Sequence, residues 1–120
     1  MEKKYDLEDR LVRFACLCLE ICEILPDTKI AQNLVYQLSR SASSAALNYG
    51  EAQAAESPAD FIHKLKLVLK EIRETRVNLR LIIEKPVIKS DKLGAALNEC
   101  NQLMAIFLKS LETSKRNSKI

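Results

Sequence analysis

Two long helical stretches meet at a short capped turn, and this hairpin constrains the fold more than any other part of the chain. The segment Ser57-Pro58-Ala59-Asp60 is typical of a helix start, since it offers a capping serine, a proline for the first helical position and an early carboxylate. The pattern predicts one helix over residues 28–55 and another over residues 58–84. Their similar lengths favour an antiparallel pair.

The helix that precedes the turn is predicted to lie at the centre of a bundle. Its inward face begins with large residues and ends with small ones: Ala31, Leu34, Leu38, Ser41, Ala42 and Ala45. Small side chains let a neighbouring helix approach closely.

Two further amphipathic segments complete the predicted fold. Apolar residues recur at steps of three and four over residues 7–25 and over residues 91–113. The residues 114–120 are polar and basic, and we expect this tail to fray. Four helices with short connections predict a single all-α domain, an up-down-up-down antiparallel four-helix bundle.

The composition excludes several other classes of protein. The chain has 120 residues, 48% of them hydrophobic, and its two glycines are too few for an all-β fold. No apolar run is long enough to span a membrane, so we expect no membrane contact and a cytoplasmic location. Cys16, Cys18, Cys22 and Cys100 are predicted to be reduced, because three of them crowd one helix where they cannot form a disulfide framework.

Several apolar side chains and one histidine are predicted to point away from the bundle core. On the second and third helices these are Tyr36, Leu47, His63, Leu67, Val77 and Leu81. Val12 and Cys16 do the same on the first helix. They are either scattered surface residues or a second buried face, and a symmetric homo-oligomer would bury such a face.

Arg76 is predicted to lie within the apolar stripe of the third helix, where an unpaired charge is costly. One interpretation is a buried ion pair with Glu51. The alternative is that the Arg76 side chain extends along the surface of the bundle until its charge reaches water.

Catalytic and metal chemistry find little support. Asp60-x-x-His63 is similar to a ligand pair of di-iron bundles, but such sites need two such pairs and the chain has one histidine. The helical spacing of Cys16, Cys18 and Cys22 cannot converge on one zinc ion. With two isolated glycines, the chain has no phosphate-binding loop. We therefore predict a protein that is not an enzyme and that needs no metal or cofactor.

The second half of the chain is basic. Residues 61–120 carry thirteen Lys and Arg against six Asp and Glu, a net charge of +7. The candidate nucleic-acid-binding residues are Lys66, Lys70, Arg73, Arg80, Lys115 and Arg116. The alternative is that these residues form an ordinary solvent-exposed side of the helix, where Glu71 and Glu74 offset part of the positive charge.

Three segments carry a resemblance to a known family: Gln37-Leu-x-Arg-Ser-x-x-Ser, Asn48-x-Gly-Glu-Ala52 and Asp60-Phe-Ile-His-Lys-Leu-x-x-x-Leu-Lys-Glu-x-Arg-Glu-Thr-Arg76. In them the chain resembles the bacterial four-helix-bundle proteins associated with intervening sequences of large-subunit (23S) ribosomal RNA genes. A more distant resemblance is to the accessory protein of diversity-generating retroelements. The resemblance implies a homopentamer with a role connected to nucleic acid. Family members often carry an aromatic pair where this chain has Val77-Asn78.

The leading hypothesis is a homopentameric helical bundle that binds RNA or a nucleic-acid-processing protein through the basic edges of the third helix. The rival hypothesis is a protein–protein adaptor that does not bind nucleic acid.

Overall fold

The computed structural model describes residues 6–118, and within them the fold is a four-helix bundle. The helices are α1 (Leu7–Ile24), α2 (Lys29–Gln53), α3 (Pro58–Glu84) and α4 (Asp91–Asn117). Each helix packs against its neighbour in the chain, and α1 also packs against α4 and closes the bundle. The predicted all-α fold is therefore confirmed. In this part of the chain, no helix has the length and apolar character that a membrane crossing requires.

Each helix begins at a capping side chain that accepts a backbone N–H. Asp6 Oδ1 accepts the Asp9 amide at 3.2 Å, and Thr28 Oγ1 accepts the Ala31 amide at 3.1 Å. Ser57 and Ser90 do the same for α3 and α4. These bonds satisfy amides that have no partner inside the helix, which explains why the helices start at these residues.

Two helix ends differ from the sequence prediction. α2 ends at Gln53, where the Ala54 and Ala55 amides bond to carbonyls three residues back and tighten the last turn. α4 continues to Asn117, although the tail was expected to fray from residue 114. No residue there breaks a helix, and the basic Lys115 and Arg116 interact favourably with the negative C-terminal end of the helix. Residues 119–120 of the predicted tail lie outside the described residues.

The core is aliphatic with two fully buried aromatic residues. Phe14 and Phe107 are the largest buried side chains, and leucine and isoleucine from all four helices surround them. The Tyr49 and Phe107 rings meet edge to face, with centroids 5.3 Å apart. On α2 the fully buried residues are mostly small (Ala31, Leu38, Ser41, Ala42 and Ala45). The prediction of a small-residue inner face is confirmed.

The α2–α3 contact encloses a small polar cluster. Thr75 Oγ1 lies 2.8 Å from both Ser41 Oγ and the Glu71 carbonyl oxygen, and Asn78 Nδ2 donates to Ser41 Oγ at 3.4 Å. Ser41 and Thr75 are completely buried. Because each polar atom finds a partner, the two helices can pack closely without leaving a hydroxyl unsatisfied.

Candidate nucleic-acid interface

The outer side of α3 carries most of the predicted nucleic-acid-binding residues. Lys66, Lys70, Arg73 and Arg80 are all exposed. Three of them are spaced by seven residues and therefore lie on the same side of the helix. Arg76 lies between Arg73 and Arg80, and its Nε donates to Asn101 Oδ1 of α4 at 3.0 Å. We call these five side chains the α3 basic stripe; it lies on the outer side of α3, where Arg76 borders α4 and Lys70 borders the Glu74 side toward α2.

The positive charges of this stripe differ in their availability. Lys70 Nζ lies 3.7 Å from Glu74, and Arg80 makes two hydrogen bonds to Glu84 Oε2 at 3.1 and 2.8 Å. Lys66 and Arg73 make no ion pair within residues 6–118. These two cations can therefore meet an anion without breaking a contact.

Glu71 points toward Arg40 of α2, and Glu74 lies between Arg40 and Lys70 of the stripe. Arg40 Nη2 donates to Glu74 Oε1 at 2.7 Å, and Arg40 Nη1 lies 3.6 Å from Glu71 Oε1. The hydrogen bond to Glu74 raises the pKa of the Arg40 guanidinium. Glu71 is only 8% exposed, and its Oε1 makes no hydrogen bond. Glu71 thus interacts with Arg40 and not with the stripe, whereas Glu74 is shared between Arg40 and Lys70 and still offsets part of the charge of the stripe.

The structure does not bring Arg76 and Glu51 together, and this corrects the suggested buried pair. Glu51 Oε1 instead accepts from Lys64 Nζ at 3.0 Å, at the exposed surface. The antiparallel hairpin explains the difference, because the turn at Ser57 places Glu51 beside Lys64. Arg76 is twelve residues farther along α3, roughly 18 Å along the helix axis. Arg76 is half-buried and extends toward α4, as the alternative interpretation anticipated.

Lys115 and Arg116 lie on the last turns of α4 and are exposed. Ser114 of α4 and Phe61 of α3 line one cavity, so the C-terminal end of α4 adjoins the start of α3. The two cations therefore lie near the Lys66 end of the α3 basic stripe. Together they extend the positive surface from the middle of α3 to the end of the bundle.

The apolar residues that the sequence pointed outward are mostly exposed. Tyr36 and Leu47 on α2 are 63% and 68% exposed, and Val77 and Leu81 on α3 are 52% and 50% exposed. His63 is exposed, whereas Leu67 is half-buried. Val77 and Leu81 line one shallow cavity with Arg80 and Glu84.

Sequence reasoning missed part of the apolar surface on α1. Val12, Cys16 and Leu19 are exposed, and the last two line a groove of about 580 Å³ together with Val35 and Ser39 of α2. The outward direction predicted for Val12 and Cys16 agrees with their exposure; only Leu19 was missed, although it continues their spacing of four and then three residues. Exposed apolar residues thus occur on α1, α2 and α3, and on α3 they adjoin the basic stripe at Arg80.

The thiols are not arranged for chemistry. Cys18 and Cys100 are buried, and burial raises the pKa of the Cys100 thiol to about 12 and that of Cys18 still higher. All four cysteines are free. Within residues 6–118, no three His, Cys, Asp or Glu side chains lie close enough together to hold a metal ion.

Comparisons with known proteins agree with the architecture. The family model described as 23S rRNA-intervening sequence protein matches residues 3–109. A crystal structure from Bacteroides thetaiotaomicron, of a protein with unknown function from the S23 ribosomal protein family, superposes with a TM-score of 0.81. It is 27% identical and covers 88% of this chain and 98% of its own. No curated protein matches the chain.

Proposed function

The chain belongs to the 23S rRNA-intervening sequence protein family, and from that premise we propose that it is a non-enzymatic bundle that binds RNA. The family description and that of the structural neighbour name no enzymatic activity. The observation that carries the proposal is the α3 basic stripe, with Lys66 and Arg73 exposed and in no ion pair among the described residues. Phosphate groups are the anions that such a row of cations fits.

The test is a salt titration of RNA binding by fluorescence anisotropy. If the six cations Lys66, Lys70, Arg73, Arg80, Lys115 and Arg116 all contact phosphates, log K should fall with log salt concentration with a slope of about −4 for a single strand. The double variant Lys66→Glu, Arg73→Glu should weaken binding at least about tenfold and flatten the slope. Both side chains are exposed, so the fold should be retained.

A matched control is the double variant Arg13→Glu, Lys29→Glu, which changes the net charge equally at exposed positions of α1 and α2. It should bind RNA nearly as well as the unmodified chain. Equal weakening in both variants would mean that net charge, and not the stripe, governs binding. No binding at low salt would exclude the RNA proposal.

We further propose that the chain forms a homo-oligomer, a pentamer as the family resemblance implies. The support is the exposed apolar surface of Tyr36, Leu47, Val77 and Leu81, since large exposed apolar areas mark contacts between proteins. Light scattering should give five times the 13.6 kDa of one chain. The double variant Tyr36→Glu, Leu47→Glu should lower that mass, whereas Leu108→Glu, an exposed apolar residue outside this set, should not.

A monomer at micromolar concentration would refute the oligomer. If such a monomer also bound no RNA, the adaptor hypothesis would remain, with the same apolar residues contacting a different protein.

A further inference from the structure

One end of the bundle contains a cavity that neither the basic stripe nor the apolar surface explains. Its volume is about 440 Å³, and it lies where α2 ends, α3 begins and α4 ends. Sites for small organic groups typically measure roughly 300–1,000 Å³. Residues from the ends of three helices line the cavity, so no single segment of the sequence predicts it.

The cavity combines one aromatic wall with unused hydrogen-bonding groups. Phe61 contributes a half-buried ring, and the carboxamides of Gln53 and Asn117 make no hydrogen bond within residues 6–118. Ser57 and Ser114 add hydroxyl groups. A carboxamide can donate and accept at once, as the edge of a nucleobase does. Aromatic stacking together with edge hydrogen bonds is how proteins hold unpaired bases.

Charges of both signs surround the cavity: Glu56 and Asp60 lie in the segment between α2 and the start of α3, and cations lie on its α4 side. Lys115 and Arg116 lie in the turn of α4 that lines it. Lys66 is five residues beyond Phe61, about 7.5 Å along the helix axis. Lys66 lies about 140° around α3 from Phe61, so Lys115 and Arg116, in the turn of α4 beside the cavity, are the cations that can hold the phosphates of a strand as it passes from the stripe to the cavity.

We propose that this cavity binds an unpaired base of an RNA strand whose phosphates lie on the α3 basic stripe. This inference rests on the proposed RNA-binding function and adds that the protein prefers single-stranded over duplex RNA. A base inside a duplex is stacked and paired, so it cannot enter a cavity of this kind.

The experiment compares anisotropy titrations of a single-stranded RNA oligonucleotide and of its duplex. Phe61→Leu keeps an apolar side chain but removes the stacking surface, and Gln53→Ala, Asn117→Ala removes both carboxamides. Each variant should lower single-strand affinity by about tenfold, with duplex affinity and salt slope unchanged. Asn98→Ala is the control, since Asn98 is an exposed carboxamide of α4 away from the cavity. Circular dichroism checks that each variant is folded.

The two proposals fail in distinguishable ways. If the unmodified chain binds no RNA, both are wrong. If binding depends on Lys66 and Arg73 but is unchanged in the cavity variants, only the base-binding cavity is refuted. An equal loss of affinity for single strand and duplex in the cavity variants would also refute it.

Discussion

Substitutions of the buried Ser41–Thr75 pair measure how much the polar cluster contributes to the stability of the α2–α3 hairpin. Both side chains are fully buried, and their hydroxyl oxygens are 2.8 Å apart. Ser41→Ala removes this contact and two weaker ones at 3.4 Å, from Asn78 Nδ2 and to the Leu38 carbonyl, while Thr75 keeps the Glu71 carbonyl as its partner. A buried hydrogen bond contributes about 0.5–1.5 kcal/mol net, so Ser41→Ala should cost roughly 1–2 kcal/mol.

Thr75→Val preserves the shape of the side chain but removes the hydroxyl that Ser41 and the Glu71 carbonyl share. We expect a cost of roughly 1–2 kcal/mol here as well. In the double variant the mutual contact of the two hydroxyls is lost once, whereas the sum of the single costs counts it twice. The double variant should therefore be about 1 kcal/mol more stable than the sum of the single costs predicts.

Urea denaturation followed by far-UV circular dichroism measures these differences, at one fixed protein concentration because association also stabilises the folded chain. In a separate thermal melt, each kcal/mol should appear as a shift of roughly 3–5 °C in Tm. Ser39→Ala is the control: its hydroxyl donates to the Tyr36 carbonyl at the surface, and the cost should stay within about 0.5 kcal/mol. Additive costs in the double variant would refute the reasoning, because they would show that the two hydroxyls act independently.

The cysteines allow two further predictions. A thiol reagent at mildly alkaline pH should modify the exposed Cys16 quickly, whereas Cys18 and Cys100 should react only after unfolding; rapid reaction of all four would contradict their burial. Because burial raises the pKa of Cys100 from 9.0 to about 12, the thiol stays protonated in the folded chain while it ionises in the unfolded one. The free energy of unfolding should therefore fall as pH rises from about 9 toward 12. Cys100→Ala should reduce this slope, and an unchanged slope would exclude the thiol as its cause.

Local signals in the sequence were sufficient to predict the helices. Capping residues and the apolar periodicity act within a few residues, and helix starts such as Leu7, Pro58 and Asp91 are where these signals place them. The end of α4 was missed, because a polar basic segment without a helix breaker can equally fray or continue.

Contacts between helices were harder to predict, since they depend on register. Glu51 was assigned to Arg76 by chemistry alone, although the position of the turn already made Lys64 its neighbour. The contacts of Glu71 and Glu74 with Arg40 could not be predicted. Helical periodicity tells which face of the helix a residue lies on, but not which side chain of the neighbouring helix it contacts. The cavity beside Phe61 was out of reach for a similar reason: Gln53, Phe61 and Asn117 meet only when three helix ends assemble.

The pairing of α2 with α3 also limits where the chain can change its length. Arg40 and Ser41 meet Glu74 and Thr75, whereas Glu51, farther along α2, meets Lys64, which is earlier on α3, so the antiparallel pairing is fixed at two separate levels. One residue inserted within α2 would rotate the rest of α2 by about 100° about its axis and shift it by about 1.5 Å. The small residues after the insertion would then no longer face α3 together with those before it. The connection between Gln53 and Pro58 has no such constraint, so we expect natural variation in length to be confined to the turn.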